Sequence, residues 1–91
     1  MSLQPVVSWT FAPDPDVAGY RIYYSTVSGN FSPARMIDIP VPCQNWYRMK
    51  APQITYWVTN YVRMTAYDTS NNESVQSPQA SVFVTGGLLL K

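Results

Sequence analysis

Residues 14–24 read DPDVAGYRIYY, a turn that runs without a break into an alternating aromatic segment. Pro13, Pro15, Asp16 and Gly19 supply turn chemistry, because proline presets φ and aspartate bonds neighbouring backbone amides. From Tyr20 onward the period becomes two. Tyr20, Ile22 and Tyr24 share one parity, the pattern of a strand with one buried face. The segment is therefore a scaffold corner first, and any binding role falls on the opposite parity, Arg21 and Tyr23.

The same period recurs on both sides of this corner. In VVSWTF, Val7, Trp9 and Phe11 fall on one parity. Met36 to Ile39 forms a third strand, and Asn45 to Ala51 a fourth with Tyr47, Met49 and Ala51 on one face. Tyr61 to Asp68 alternates Val62, Met64 and Ala66 with Tyr61, Arg63, Thr65 and Tyr67, and Ser81 to Thr85 forms the last strand. No segment of ten or more residues carries a helical stripe. Ser28-Gly29-Asn30 and Thr69-Ser70-Asn71-Asn72 mark turns, while Pro40 and Pro42 end the third strand because proline cannot donate to a ladder. Short strands at this spacing predict an antiparallel β-sandwich.

Composition narrows the function classes. The 91 residues make one domain, and six basic against five acidic residues leave a net charge of +1. Binding to nucleic acid or to an anionic membrane needs clustered Lys and Arg, so neither is expected. The chain has no His, and Cys43 is its one Cys. A Ser-His-Asp site, a zinc site of the usual kind and an internal disulfide are thereby excluded. With few carboxylates, mostly in turns, no catalytic residue, metal site or cofactor is expected. Asp14, Asp16 and Asp68 read as turn formers rather than calcium ligands, and Asn30-Phe31-Ser32 and Asn72-Glu73-Ser74 as chance matches to the glycosylation pattern. The start MSLQPVVSW has no signal-peptide pattern, and Leu88-Leu89-Leu90 is far short of the roughly 20 residues that span a bilayer.

Trp9 in an early strand, the corner DPDVAGYRIYY, and VRMTAYD at 62–68 followed by Asn72-Glu73-Ser74 together resemble a fibronectin type III domain of the bacterial or bacteriophage kind. The resemblance spans roughly residues 6 to 85. It implies an immunoglobulin-like antiparallel sandwich in which Trp9, Tyr20, Ile22, Tyr24, Val62, Met64 and Ala66 are core. Domain organisation follows as a sandwich over 1–85 and a C-terminal arm, Gly-Gly-Leu-Leu-Leu-Lys, over 86–91.

Two departures from the family pattern direct attention to function. A fibronectin type III domain has a whole strand before the one bearing the Trp, whereas only eight residues precede Trp9. The first strand is expected to be truncated or missing, which leaves a sheet edge open to another chain unless Pro5 blunts it. Between the fourth and fifth strands the family places a Pro-Gly turn and a corner Tyr. Here Trp57 stands at the Gly position and Asn60 at the corner. Either Tyr56 or Tyr61 rebuilds the corner, or its hydrogen bond is lost.

The candidate partner-binding residues follow from these departures. Ile54 reads as a plug at the sandwich bottom, whereas Tyr56 and Trp57 beside it resemble interface anchors. Trp46, on the outward parity of the fourth strand, either covers the open edge or docks a neighbour. Tyr23 belongs to an outward ladder with Arg21, Tyr61, Arg63 and Tyr67, a stabilising arrangement that also serves as a binding face in some sheets. Leu88, Leu89 and Leu90 are either an ordinary chain end or an arm added to an adjacent subunit. Cys43 reads as a small packed hydrophobe.

The chain is thus expected to be a stand-alone, non-catalytic interaction module that binds other protein subunits. Among fibronectin-like proteins the resemblance points to a small bacteriophage virion protein: a capsid decoration, neck or tail component. Two alternatives are a carbohydrate- or cell-surface-binding module using Tyr23, Trp46, Trp57 or Tyr67 as stacking platforms, and a domain excised from a larger bacterial extracellular enzyme or adhesin.

Overall fold

The longest alternating segments pair with each other. In the computed structural model, which describes residues 5–12, 15–32, 35–50 and 52–84, β2 (Val17–Ser25) lies antiparallel to β5 (Val58–Asp68). Their register sets Tyr20 opposite Ala66, Ile22 opposite Met64 and Tyr24 opposite Val62, so the apolar parity of both strands shares one face. On the far side of β2, β3 (Met36–Ile39) adds Ile37 and Ile39 to that face, and β6 (Ala80–Val84) adds Ala80, Val82 and Val84 alongside β5. The four-stranded sheet has the order β3-β2-β5-β6.

A second antiparallel sheet, β1 (Val6–Ser8) with β4 (Trp46–Arg48), covers this face. The described residues form an all-β, sandwich-like fold without helices. Its core is Tyr20, Ile22, Ile37, Ile39, Met49, Ile54 and Val84, with Val7, Trp9, Tyr24, Tyr47, Tyr56, Val62, Met64 and Ala66 packed against it. Complete burial of Ile22 contributes roughly 1.5–3 kcal/mol. The Trp9 and Tyr20 rings meet at 5.3 Å between centroids, tilted by 53°. The Tyr20 hydroxyl accepts the Ala12 amide at 3.0 Å, so one ring both fills the core and ties down the segment leaving β1.

The opening corner is built on close approach. A Cβ on Gly19 would lie 2.3 Å from the Ile39 carbonyl oxygen and 2.7 Å from the Tyr67 hydroxyl, distances no side chain tolerates. The register between β2 and β5 shifts at Val17/Gly19, a bulge that turns the incoming loop onto the sheet. At the other end of β5, Asp68 organises the turn. Its carboxylate accepts from the Ser70 and Asn72 amides at 2.9 and 2.8 Å, and Asn71 takes the left-handed conformation, φ 64°. The bond from the Asn72 amide does most to hold the Asp68 carboxyl below its ordinary value.

Several expectations are corrected. β1 ends at Ser8, so Phe11 has left the strand and is exposed. β4 stops at Arg48 because the chain turns at once, with the Gln53 amide donating to the Lys50 carbonyl at 2.7 Å. β5 begins at Val58, three residues before the alternating pattern becomes clear. Cys43 is exposed in the turn closed by the Gln44 amide on the Val41 carbonyl, not packed. Among the described residues no strand precedes β1, and its edge away from β4 is unpaired.

Candidate partner interface

The outward face of the four-stranded sheet carries the expected ladder, and the Glu73 side chain, after β5, reaches over its Arg21, Tyr23 and Thr65 positions. Tyr23 stands opposite Arg63, and Arg21 opposite Thr65. The Arg21 guanidinium lies 4.1 Å from the Tyr67 ring centroid and pairs with Glu73 at 3.1 Å while donating to Asn71 at 2.6 Å. Glu73 also accepts from the Thr65 hydroxyl at 2.6 Å and from the Tyr23 hydroxyl. Burial opposes its charge, but the Thr65, Tyr23 and Arg21 contacts prevail and hold the Glu73 carboxyl below its ordinary value. Tyr23 is pushed up, first by burial and then by its bond to Glu73. Tyr67 is raised by burial and by its 2.7 Å bond to Asp38.

Tyr23 and Tyr67 are consequently buried, each 9% exposed, and offer no open stacking platform. The segment after Glu73 runs along the edge of β5 and not over the face. Ser74 and Ser77 exchange backbone and hydroxyl bonds of 2.8 to 3.0 Å with Ala66 and Met64, continuing the ladder where β6 has not yet begun. Glu73 was passed over in the sequence because an acid in a turn-rich Asn-Glu-Ser stretch carries no periodic signal.

The corner before β5 resolves differently from either expectation. Asn60, 5% exposed, accepts the Thr55 amide at 2.9 Å and donates to the Thr55 and Val58 carbonyls at 2.8 and 3.0 Å. One amide side chain thus satisfies the turn, with neither Tyr56 nor Tyr61 replacing a corner hydroxyl. Ile54 plugs the bottom at 4% exposure, and Tyr56 packs partly against the core.

Trp57 takes the other course. Its φ of 68° is the left-handed conformation, which suits glycine and strains a bulky side chain. Its amide nonetheless donates to the Val84 carbonyl at 2.5 Å, and its side chain is left in solvent at 60% exposure. Opposite Thr59, on the outward face of β6, Phe83 is also exposed.

The third feature is an open side between the sheets. Val82 lies on the inward parity of β6, opposite buried Asn60, yet is 45% exposed. Beside it runs a groove of about 430 Å³, lined mainly by Val6, Val7, Met49, Ile54, Val62 and Val82. Nothing among the described residues covers it, because this is the flank on which β1 lacks a second partner. Trp46 does not close it: opposite Ser8 on β4, it faces outward at 54% exposure. Leu88, Leu89 and Leu90 lie outside the described residues. The exposure of Val82 and Phe83 carries no signal in the sequence, since their alternation reads as an ordinary strand.

Among the described residues no group of three or more His, Cys, Asp or Glu is arranged to hold a metal ion. Comparison with protein-family models finds no match to this chain, and comparison with curated proteins finds none.

Proposed function

We propose that this chain is a non-catalytic interaction module of fibronectin type III kind, which docks onto other protein subunits as a small bacteriophage virion protein. The observation that carries the docking reading is exposed apolar surface on both faces of one strand: Val82 inward and Phe83 outward on β6, with Trp57 at the strand's end. The apolar groove beside Val82 is the kind of contiguous uncovered surface that marks an interaction site, and a solvent-exposed Trp is a typical anchor. The strand order supports the fold assignment, because β1-β4 against β3-β2-β5-β6 is what such a domain retains when its first strand is missing. The virion assignment rests on the resemblance of DPDVAGYRIYY and VRMTAYD.

The glycan-binding alternative finds less support. A sugar platform needs aromatics arrayed on one open face, but Tyr23 and Tyr67 are covered, Trp46 lies on the outer face of the two-stranded sheet, and Trp57 lies at the end of the other. The deciding experiment is quantitative mass spectrometry of purified particles from the phage or prophage encoding the chain. Wild-type protein is expected at a fixed copy number per particle, with Trp57→Ala reduced at least several-fold. Particles lacking the protein would refute the virion reading. Binding to immobilised glycans that Trp46→Ala and Trp57→Ala abolish would favour the alternative.

A further inference from the structure

The free edge of β1 has a defined polarity and spacing. Pro5 accepts from the Met49 amide and Trp9 donates to the Asn45 carbonyl, so residues 5, 7 and 9 make the hydrogen-bonded pairs with β4. Val6 and Ser8 alternate with them and turn their N–H and C=O groups away from β4, toward the open side. A strand laid there meets backbone donors and acceptors on one flank and the apolar groove on the other. Edge pairing supplies affinity in such an addition, and side chains entering the groove supply specificity.

The direction of the added strand decides where it comes from. Pro5 to Ser8 border the groove beside Asn60 and Val62, whereas Trp9 and Ala12 lie with Met64 and Ala66. β1 therefore runs in the sense of β5 and opposite to β6. Every strand pairing among the described residues is antiparallel, and a strand added to β1 in that sense runs in the same sense as β6. The apolar run Leu88-Leu89-Leu90 has the same three-residue length as β1, but only Thr85, Gly86 and Gly87 separate Val84 from Leu88. A chain that leaves β6 and returns in the same sense needs a crossover of about a dozen residues or more. Three residues, two of them glycine, suffice for a reversal or for an extension away from the body, not for that crossover.

We propose that the groove between β1 and β6 receives Leu88–Leu90 of a second copy of this chain, which adds the missing edge strand in trans. This rests on the docking reading above and names the partner of that site. The pleat sends alternate side chains inward, so in either register at least one leucine enters the groove over Met49, Ile54 and Val82, and at least one lies outside near Val6. The arrangement is head-to-tail. Each copy gives an arm and receives one, so association closes into a ring or continues as a line of subunits.

The test is solution mass by light scattering over a concentration series, on the full chain and two variants. The tail variant is Leu88→Ser/Leu89→Ser/Leu90→Ser, and the groove variant is Val82→Glu, a substitution at a partly exposed position. Full chain is expected to rise to at least twice the single-chain mass. Each variant alone should remain at the mass of one chain, and an equimolar mixture should return to twice that mass, because the tail variant keeps a groove and the groove variant keeps a tail. Misfolding of either variant does not produce that recovery.

A full chain that remains single at every concentration overturns the inference. So does a tail variant that associates like the full chain, or a mixture that stays single while both variants unfold cooperatively. A single-chain full-length protein destabilised by the leucine changes would assign the groove to its own tail and likewise overturn it. None of these results bears on the copy number in purified particles, so the docking reading stands or falls separately.

Discussion

Val82 and Phe83 are neighbours in β6 that point to opposite faces of the sheet, yet both are about half exposed, at 45% and 56%. In a closed sandwich the inward residue of such a pair is buried. Here the inner face is uncovered along one flank, because β1 has no second neighbour among the described residues. Exposure on both faces makes β6 the strand on which the proposed docking is tested most directly.

Trp57 combines a left-handed φ with an exposed side chain, so its strain supports no packing that would offset it. Trp57→Gly is expected to stabilise the isolated chain by about 1 kcal/mol, from the usual cost of this conformation for a residue with a Cβ. Urea unfolding monitored by far-ultraviolet circular dichroism measures it. A variant less stable than wild type would show that the indole packs favourably despite its exposure.

Asn60 makes three bonds that close the turn before β5 and is almost wholly buried. Asn60→Ala leaves the Thr55 amide without its acceptor and is expected to cost about 1–3 kcal/mol. Equilibrium denaturation gives the value, and a loss below 0.5 kcal/mol, roughly the floor for a net hydrogen bond, would mean that water replaces the amide.

Gly19→Ala puts a methyl group against the Ile39 carbonyl, a backbone atom that moves only with β3. Overpacking of this kind costs about 1–3 kcal/mol. A clear drop in thermal midpoint is expected, and an unchanged midpoint would show that the bulge at Val17/Gly19 absorbs the group.

The Glu73 cluster predicts a signed pH dependence. Because Glu73 titrates below its ordinary 4.5 when folded, its stabilisation is present above that value and is lost as the pH falls through the depressed one. Tyr23 has the opposite sense. Raised above 10.0, it contributes stability below that pH and loses it as the pH rises through the elevated value. Stability measured from acid to neutral pH should fall less steeply on acidification in Glu73→Gln than in wild type. Equal slopes would place the acid sensitivity elsewhere.

Cys43 is exposed in the native turn. One equivalent of a thiol reagent should react in native buffer at nearly the rate seen in denaturant, and protection of a hundredfold or more would place it in a contact between chains.

Much of the scaffold was legible because period-two burial is local information. Tyr20, Ile22 and Tyr24 announce an inward face from three alternate positions, and β3 was recovered at Met36–Ile39. The corner position of Asn60 was legible too, but not that its amide bridges Thr55 and Val58, since a side chain's hydrogen bonds depend on backbone groups brought close by the turn. The site was half visible. Trp46 and Trp57 were singled out as aromatics without a core position, whereas Tyr23, left between a stabilising ladder and a binding face, is covered because Glu73 reaches it from 50 residues away in sequence.

Residue order by itself determined the all-β character, the two-sided alternation of the long strands and the lack of His and paired Cys for chemistry. These depend only on spacing and composition. Only the tertiary structure decided which surfaces stay open. Val82 has the sequence signature of a core residue and becomes surface because the strand that would cover it is not supplied by the described chain. Tyr23 has an outward parity and becomes buried because Glu73 arrives over it. Exposure is a property of what lies opposite, and what lies opposite is set by pairings between residues far apart in the chain.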